Sequence, residues 1–288
     1  MPHNRAFAQV DVFSAEPYHG NPVAVVLDAD GLADEEMARI ANWTNLSETT
    51  FVLPPTDPAA DYRLRIFTPG RELPFAGHPT LGSAAAWLAA GGVPRNDGAL
   101  IQECGAGLVD IRRGDRTLAF AAPERLRSGP LDEDFVTQIA QALHLEREDI
   151  LDHQWADNGP GWAAVKLASA AQVLALEPDF SQIPDTKLGV LGAHPAGSDH
   201  EYEIRAFVPG VGVAEDPVTG SLNASVAQWL IGAGLAPEKY TVTQGTALGR
   251  AGVIEISREA RADEGNPDAD AIWVGGATTV CFHGTAFA

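Results

Sequence analysis

One hexapeptide pattern, Arg-x-Phe-x-Pro-Gly, occurs twice in this chain of 288 residues. Arg65-Ile66-Phe67-Thr68-Pro69-Gly70 returns 140 residues later as Arg205-Ala206-Phe207-Val208-Pro209-Gly210. Each copy runs through a loop into an apolar helical segment. The first opens His78-Pro79-Thr80-Leu81-Gly82-Ser83; the second opens Asp216-Pro217-Val218-Thr219-Gly220-Ser221, 138 residues further on. Trp87-Leu88 and Trp229-Leu230 close the two segments at an offset of 142. The drift of four residues is about one helical turn, so the second helix is expected to be a turn longer. Order and context both repeat, which chance likeness of short apolar segments does not explain. A chain built this way folds as two similar halves, and a cleft at their interface is the natural place for a ligand.

The remaining pattern is strand-rich with few helices. Gln9–Phe13, Val23–Leu27, Thr49–Leu53, Tyr62–Phe67, Leu108–Arg112, Thr117–Phe120, Trp162–Leu167, Tyr202–Val208, Val253–Ile256 and Ala271–Val274 read as strands. Tyr18 to Pro22 is a turn, and Pro123 to Pro130 reads as a linker. Asp34–Trp43 reads as a short helix, and Asp132–Leu145 as an amphipathic one with Phe135, Ile139 and Leu143 on one face. Pro79–Ala90 and Ser221–Ala233 are apolar on every side, as central buried helices are. Short strands with a few helices predict an α+β architecture rather than a doubly wound parallel sheet. The expected division is residues 1–125 with a tail from about 279 to 288, and residues 126–278.

Composition removes several functions. Acidic residues number 39 against 19 basic ones, a formal charge of −20. Nucleic acids and anionic membranes need a basic footprint, so neither is an expected partner. Cys104 and Cys281 lie far apart without ligand spacing, which argues against a disulfide framework or a metal site. The start MPHNRAFAQVDVF lacks a secretory pattern, and no stretch reaches the roughly 20 apolar residues of a membrane span. A soluble, cytoplasmic protein is expected.

The candidate chemistry lies at the helix entrances and one strand start. Each apolar helix begins near a proline, where the missing N–H costs little. Its first-turn N–H groups attract an anion such as a carboxylate; the alternative is simple packing against strands. Glu48, in Asn45-Leu46-Ser47-Glu48-Thr49-Thr50-Phe51-Val52, precedes a β-branched strand. A carboxylate there is either solvated or, beside a desolvated cleft, an acid/base. His78 either makes a structural hydrogen bond or serves a substrate carboxylate or a proton relay. Asp216 either caps its helix or binds substrate. Ser221 lacks a His–Asp partner set, so a hydrolase triad is unsupported. No dinucleotide or P-loop motif is present.

Gly20-Asn21-Pro22-Val23-Ala24-Val25-Val26, the Asn45–Val52 segment, Phe75-Ala76-Gly77-His78-Pro79-Thr80 and Glu215-Asp216-Pro217-Val218-Thr219-Gly220-Ser221 together resemble the PhzF family of phenazine biosynthesis. Val274-Gly275-Gly276-Ala277 is similar to that family's C-terminal strand region. The resemblance runs from about residue 7 to 284. It implies a diaminopimelate epimerase-like fold: two pseudo-symmetric halves, each a curved, mostly antiparallel sheet or barrel around a central helix. Epimerases of this fold use one cysteine per half; Ala76 and Pro217 stand at the matching places here, which puts a two-thiol mechanism in doubt.

The resemblance further implies a cofactor-free, metal-free isomerase, assembled as a homodimer, that moves a proton within a small unsaturated or hydroxylated carboxylic acid like dihydro-3-hydroxyanthranilate. Glu48 would be the acid/base. His78 and Asp216 would share the catalytic site, and Asn21, Gly77, Gly220 and Ser221 would contact substrate. Two other readings stand beside it. One is a racemase or epimerase of an amino-acid-like acid, needing a second acid/base such as Asp216 or His78. The other is a binding protein that kept the fold and lost turnover.

Overall fold

A computed structural model describes residues 3–211, 213–260 and 270–288. The chain divides into two compact units, Met1–Ala121 with Gly275–Ala288, and Ala122–Val274.

The first unit contains β1 (Asn4–Val12), β2 (Asn21–Val26), α1 (Asp34–Thr44), β3 (Thr49–Leu53), β4 (Tyr62–Phe67), β5 (Glu72–Leu73), α2 (Gly77–Ala89), β6 (Ala99–Cys104), β7 (Gly107–Arg113) and β8 (Thr117–Ala121). It also takes the part of β16 (Asp270–Phe287) from Gly275 onward. The strands hydrogen-bond in the order β1-β2-β3-β4-β6-β7-β8-β16, and β16 returns antiparallel onto β1. The sheet is therefore a closed barrel with no free edge along that path. Helix α2 packs against β1, β2, β3, β4 and β8, which places it inside. That position explains its composition: a helix ringed by strands has no face for polar residues. Gly82 marks the tightest approach, since a Cβ there would fall 2.3 Å from Val23 Cγ1. Helix α1 covers the outside with Met37 and Ala41, which pack with Phe51 and Phe67.

The second unit contains α3 (Glu133–Ala142), β9 (Asp152–Trp155), β10 (Trp162–Leu167), α4 (Ala170–Leu174), β11 (Lys187–Ala193), β12 (Tyr202–Phe207), β13 (Glu215–Asp216), α5 (Gly220–Gly232), β14 (Lys239–Gln244) and β15 (Gly252–Ala260). Its strand order is β16-β15-β14-β12-β11-β10-β9. Helix α5 is buried over most of its length. Helix α3 is amphipathic and sets Val136, Ile139 and Ala140 into a core with Val165, Val190 and Phe207.

The repeated hexapeptide has a physical role that the two units share. Arg65 forks onto Glu72 with bonds of 2.7 and 2.7 Å. Arg205 forks onto Glu215 with bonds of 3.0 and 2.7 Å. Each guanidinium also lies over the Phe two residues on, at 5.1 and 4.8 Å. The bidentate pair pins a small antiparallel ribbon, β4–β5 or β12–β13. Each ribbon delivers the chain to the start of the buried helix.

Several expectations are corrected. Helices α2 and α5 both have 13 residues, so the second is not a turn longer. Glu72 precedes Gly77 by the same five residues as Glu215 precedes Gly220. The insertion falls earlier, between each Arg and its Glu, where the loop lengthens from seven to ten positions. Pairing the helices from their first residues makes Ser221 the counterpart of His78; Asp216 lies four residues before α5. The partner of Ala76 is Thr219, not Pro217, because these two are the N-cap residues.

Strands β6, β9, β11 and β14, the short β5 and β13, and helix α4 were not evident from pattern. Strand β11 carries Gly189 and Gly192, which weaken a strand signal. Gly192 is required, since a Cβ there would meet the Ser169 carbonyl oxygen at 2.3 Å, while one at Gly189 would press on the Leu222 side chain, with Cδ1 at 2.5 Å. The closing strand extends far beyond Ala271–Val274 because β1 supplies a partner along Thr278–Phe287.

Candidate active site

Glu48 lies in the short connection from α1 to β3. Asn45 ends α1 in the left-handed conformation, φ 55°, which turns the chain sharply back. Four residues later β3 begins, held parallel to β2 through Ala24–Thr49 and antiparallel to β4 through Thr49–Phe67. Two hydroxyl contacts fix this corner. Thr44 Oγ1 meets Thr49 Oγ1 at 2.7 Å, and Thr50 Oγ1 meets Ser83 Oγ of α2 at 2.8 Å. The backbone that carries Glu48 is thereby tied to both the strand and the central helix.

His78 is the second residue of α2 and is 5% exposed. Its ring bonds to the backbone of Pro22, which has only a carbonyl to offer. One ring nitrogen must therefore carry a proton and donate. Nε2 makes no hydrogen bond, so the donor is Nδ1. Burial, partly offset by that bond, pulls the imidazole down to about 3, so the ring is neutral at physiological pH. A neutral ring with Nδ1–H presents a lone pair at Nε2. That lone pair faces Glu48 Oε2 at 3.4 Å, and the Glu48 side chain is only 15% exposed. At 3.4 Å the two atoms do not complete a hydrogen bond, and Nε2 would accept from a protonated Oε2 only on closer approach. The two groups form a unit suited to holding one proton.

Asn21, also in this unit, is fully buried at the start of β2 and pairs with Val12. The turn before it is shaped by Asp11, whose Oδ2 accepts from the His19 and Gly20 N–H groups at 2.8 and 2.9 Å. Only glycine fits at Gly20, because a Cβ there would lie 2.1 Å from the Val12 carbonyl oxygen. Gly77, buried, opens α2, and no side chain caps that helix.

In the second unit, Asp216 sits in β13 and Gly220 and Ser221 open α5. The N-cap position belongs to Thr219, not Asp216, and the Thr219 side chain makes no cap bond. Thr219 Oγ1 instead donates to Asp216 Oδ2 at 2.5 Å. Ser221 is held from the β10 side: Trp162 Nε1 donates to its Oγ at 3.0 Å, and Asn158 Nδ2 donates to its carbonyl at 3.0 Å. Since Oγ accepts from the indole, the Ser221 hydroxyl proton is directed elsewhere.

The structure thus brings Glu48, His78 and the Asn21–Pro22 corner together in one unit, and Asp216, Thr219, Gly220 and Ser221 together in the other. Sequence reasoning missed Asn158, Trp162, Thr219 and Gln244. The Asp157-Asn158-Gly159-Pro160-Gly161 run marks a turn but gives no sign of its target. Among the described residues no group of His, Cys, Asp or Glu is arranged to hold a metal ion, and no helix is long and apolar enough to cross a membrane.

A closed barrel around one buried helix, a second strand-rich unit around another, helix starts without a side-chain cap, and a carboxyl–imidazole pair beside one of them define an α+β protein of the epimerase-like architecture. The comparison with known proteins is specific. The sequence pattern of the phenazine biosynthesis-like (PhzC-PhzF) family matches residues 10–284, and the chain belongs to that family of isomerases. It is 37% identical over 297 residues to antisense-enhancing sequence 1 of Schizosaccharomyces pombe, covering 98% of each chain. It is 35% identical over 254 residues to the trans-2,3-dihydro-3-hydroxyanthranilate isomerase of Pseudomonas aeruginosa, covering 85% of this chain and 87% of that one. The solved PhzF-family protein of Bacillus anthracis shares the fold at a TM-score of 0.81 with 23% identity, over 99% of both chains.

Proposed function

We propose that this protein catalyses a proton-transfer isomerisation of a small, unsaturated or hydroxylated cyclic carboxylic acid, with Glu48 as the acid/base. The supporting observation is the carboxyl–imidazole pair at 3.4 Å, mostly screened from water and joined to the start of a buried helix. The relatives named as trans-2,3-dihydro-3-hydroxyanthranilate isomerases support the substrate class.

In this reading Glu48 takes a proton from one ring carbon, a double bond shifts, and the same carboxyl returns the proton at another carbon. Atoms and electrons balance without a co-reactant. His78, neutral and anchored on Pro22, accepts from the protonated carboxyl and so holds the proton in place between the two transfers. The starts of α2 and α5, whose N-cap side chains make no cap bond, each favour a carboxylate by their partial positive charge. Asp216 and Ser221 orient the substrate, and Asn21 contributes from the buried start of β2. Low water content limits exchange of the carried proton.

The test is turnover of trans-2,3-dihydro-3-hydroxyanthranilate in deuterated water, followed by NMR. The wild type should convert it, and Glu48→Gln should lose about 10²–10⁴-fold in kcat while keeping its melting temperature. Undiminished turnover by Glu48→Gln rejects the role of Glu48. No turnover by the wild type rejects this substrate.

A further inference from the structure

Gln244, the last residue of β14, is fully buried. Its Oε1 accepts from the Thr219 N–H at 3.0 Å and from Asn223 Nδ2 at 2.8 Å. Its Nε2 donates to the Asp216 carbonyl at 3.1 Å and to Thr219 Oγ1 at 3.0 Å. The orientation of the amide is forced, because a backbone N–H can meet only the oxygen end. Thr219 Oγ1 therefore accepts a hydrogen bond from Gln244 and donates its own to Asp216 Oδ2, 2.5 Å away. The chain of donors runs one way, from amide to hydroxyl to carboxylate.

Two comparisons inside the molecule separate this relay from ordinary packing. Gln102 is the related residue of the first unit, displaced by two register positions: it pairs with Tyr62 across β4–β6, whereas Gln244 pairs with Ile204, the counterpart of Leu64, across β12–β14. Gln102 donates to Thr80 Oγ1 at 3.0 Å and accepts from Tyr62 Oη at 3.2 Å. Thr80 and Asn223 are each the fourth residue of their helix. A buried glutamine thus ties sheet to helix in both units. The extension to an N-cap hydroxyl and a carboxylate exists only at Gln244, since the first-unit N-cap is Ala76. Thr219 also gives up the helix-capping bond usual for threonine, which is typically worth about 1 kcal/mol. Its hydroxyl is committed instead to Gln244 and Asp216, a departure from local helix-end chemistry of the kind expected at functional sites.

We infer that Gln244 and Thr219 are positioning residues for Asp216: the relay fixes the plane of its carboxylate and keeps Oδ2 as an acceptor while substrate is bound. The inference rests on the reading of Asp216 as a substrate-contacting residue.

The relay itself is read without substrate. In the unliganded protein the Thr219 hydroxyl proton should be visible by NMR as a slowly exchanging resonance, and Asp216→Asn should shift it. A rapidly exchanging hydroxyl insensitive to that change overturns the relay. Its consequence is read with trans-2,3-dihydro-3-hydroxyanthranilate in a double-mutant cycle. Thr219→Val should lower kcat/KM about 10–100-fold, the scale of an angstrom-level misplacement, and Thr219→Ser should restore it. Gln244→Glu, which keeps the acceptor end but claims the Thr219 proton, should match Thr219→Val. In an Asp216→Ala background, Thr219→Val should cost nothing further. An undiminished penalty there shows a structural role alone and overturns the inference. Full activity of Asp216→Ala by itself overturns the reading of Asp216, a separate result.

Discussion

His78 turns its Nε2 lone pair towards Glu48 Oε2 at 3.4 Å while its other ring nitrogen is tied to the carbonyl of Pro22. The ring is buried as a neutral group, and that has a thermodynamic consequence. Its folded value, about 3, lies below the ordinary 6.5. Between those values the unfolded chain binds a proton that the folded one refuses. Stability from this group is complete above about pH 6.5 and is lost as pH falls towards 3, with a limiting slope of about 1.4 kcal/mol per pH unit. Urea unfolding at pH 7 and pH 5 should show a shallower loss for His78→Gln than for the wild type. Equal slopes would place the His78 proton elsewhere.

Glu203 should behave with the opposite sign. It is buried on β12, accepts from Thr243 Oγ1 at 2.5 Å, and burial raises its carboxyl above the usual range. The folded protein then holds this proton more tightly than the unfolded chain. The associated stability is present at acid pH and fades as pH rises through the folded value. Glu203→Gln, which cannot ionise, should therefore gain on the wild type in melting temperature between pH 5 and pH 8. A difference that shrinks over that interval contradicts the assignment.

Gly82 is required by close approach rather than by backbone conformation. A methyl group there would overlap Val23 Cγ1 at 2.3 Å and Val12 Cγ2 at 3.0 Å. Helix propensity alone favours Gly82→Ala by roughly 1 kcal/mol. Overpacking of a closed barrel costs about 1–3 kcal/mol and should win. Chemical denaturation should show net destabilisation; a stabilised variant would mean that α2 can shift within the barrel.

Trp162 holds Ser221 through its indole N–H at 3.0 Å. Trp162→Phe removes that donor and leaves most of the ring. The loss of one neutral hydrogen bond should cost about 1 kcal/mol in stability. With Ser221 less constrained, KM should rise several-fold and kcat should change less, measured on the same dihydro acid. An unchanged KM would remove Ser221 from substrate binding.

Much of this architecture is legible in the residues. The hexapeptide exposed the duplication because an Arg–Glu fork and a guanidinium over Phe require those residue types at fixed strand positions. The two apolar helices are recognisable because a helix enclosed by strands must be apolar all round. Alignment by offset failed at the loop between Arg205 and Glu215, which is three residues longer than its counterpart. Loop length is weakly constrained by energy, so motif spacing does not locate equivalent helix positions there.

Local chemistry thus determined which segments become strands, which helices are buried, and that Glu48, His78 and Asp216 were candidates worth following. Only the tertiary structure decided their relations. Glu48 and His78 are 30 residues apart and meet because β3 is tied by Thr50 to Ser83 in the helix whose second residue is His78. Gln102, inside β6, and Gln244, at the end of β14, look like ordinary polar residues, and their meaning comes from partners that strand register and helix docking place beside them. A sequence encodes local propensity directly, whereas hydrogen-bond partnership between distant side chains exists only once long-range pairing has been formed.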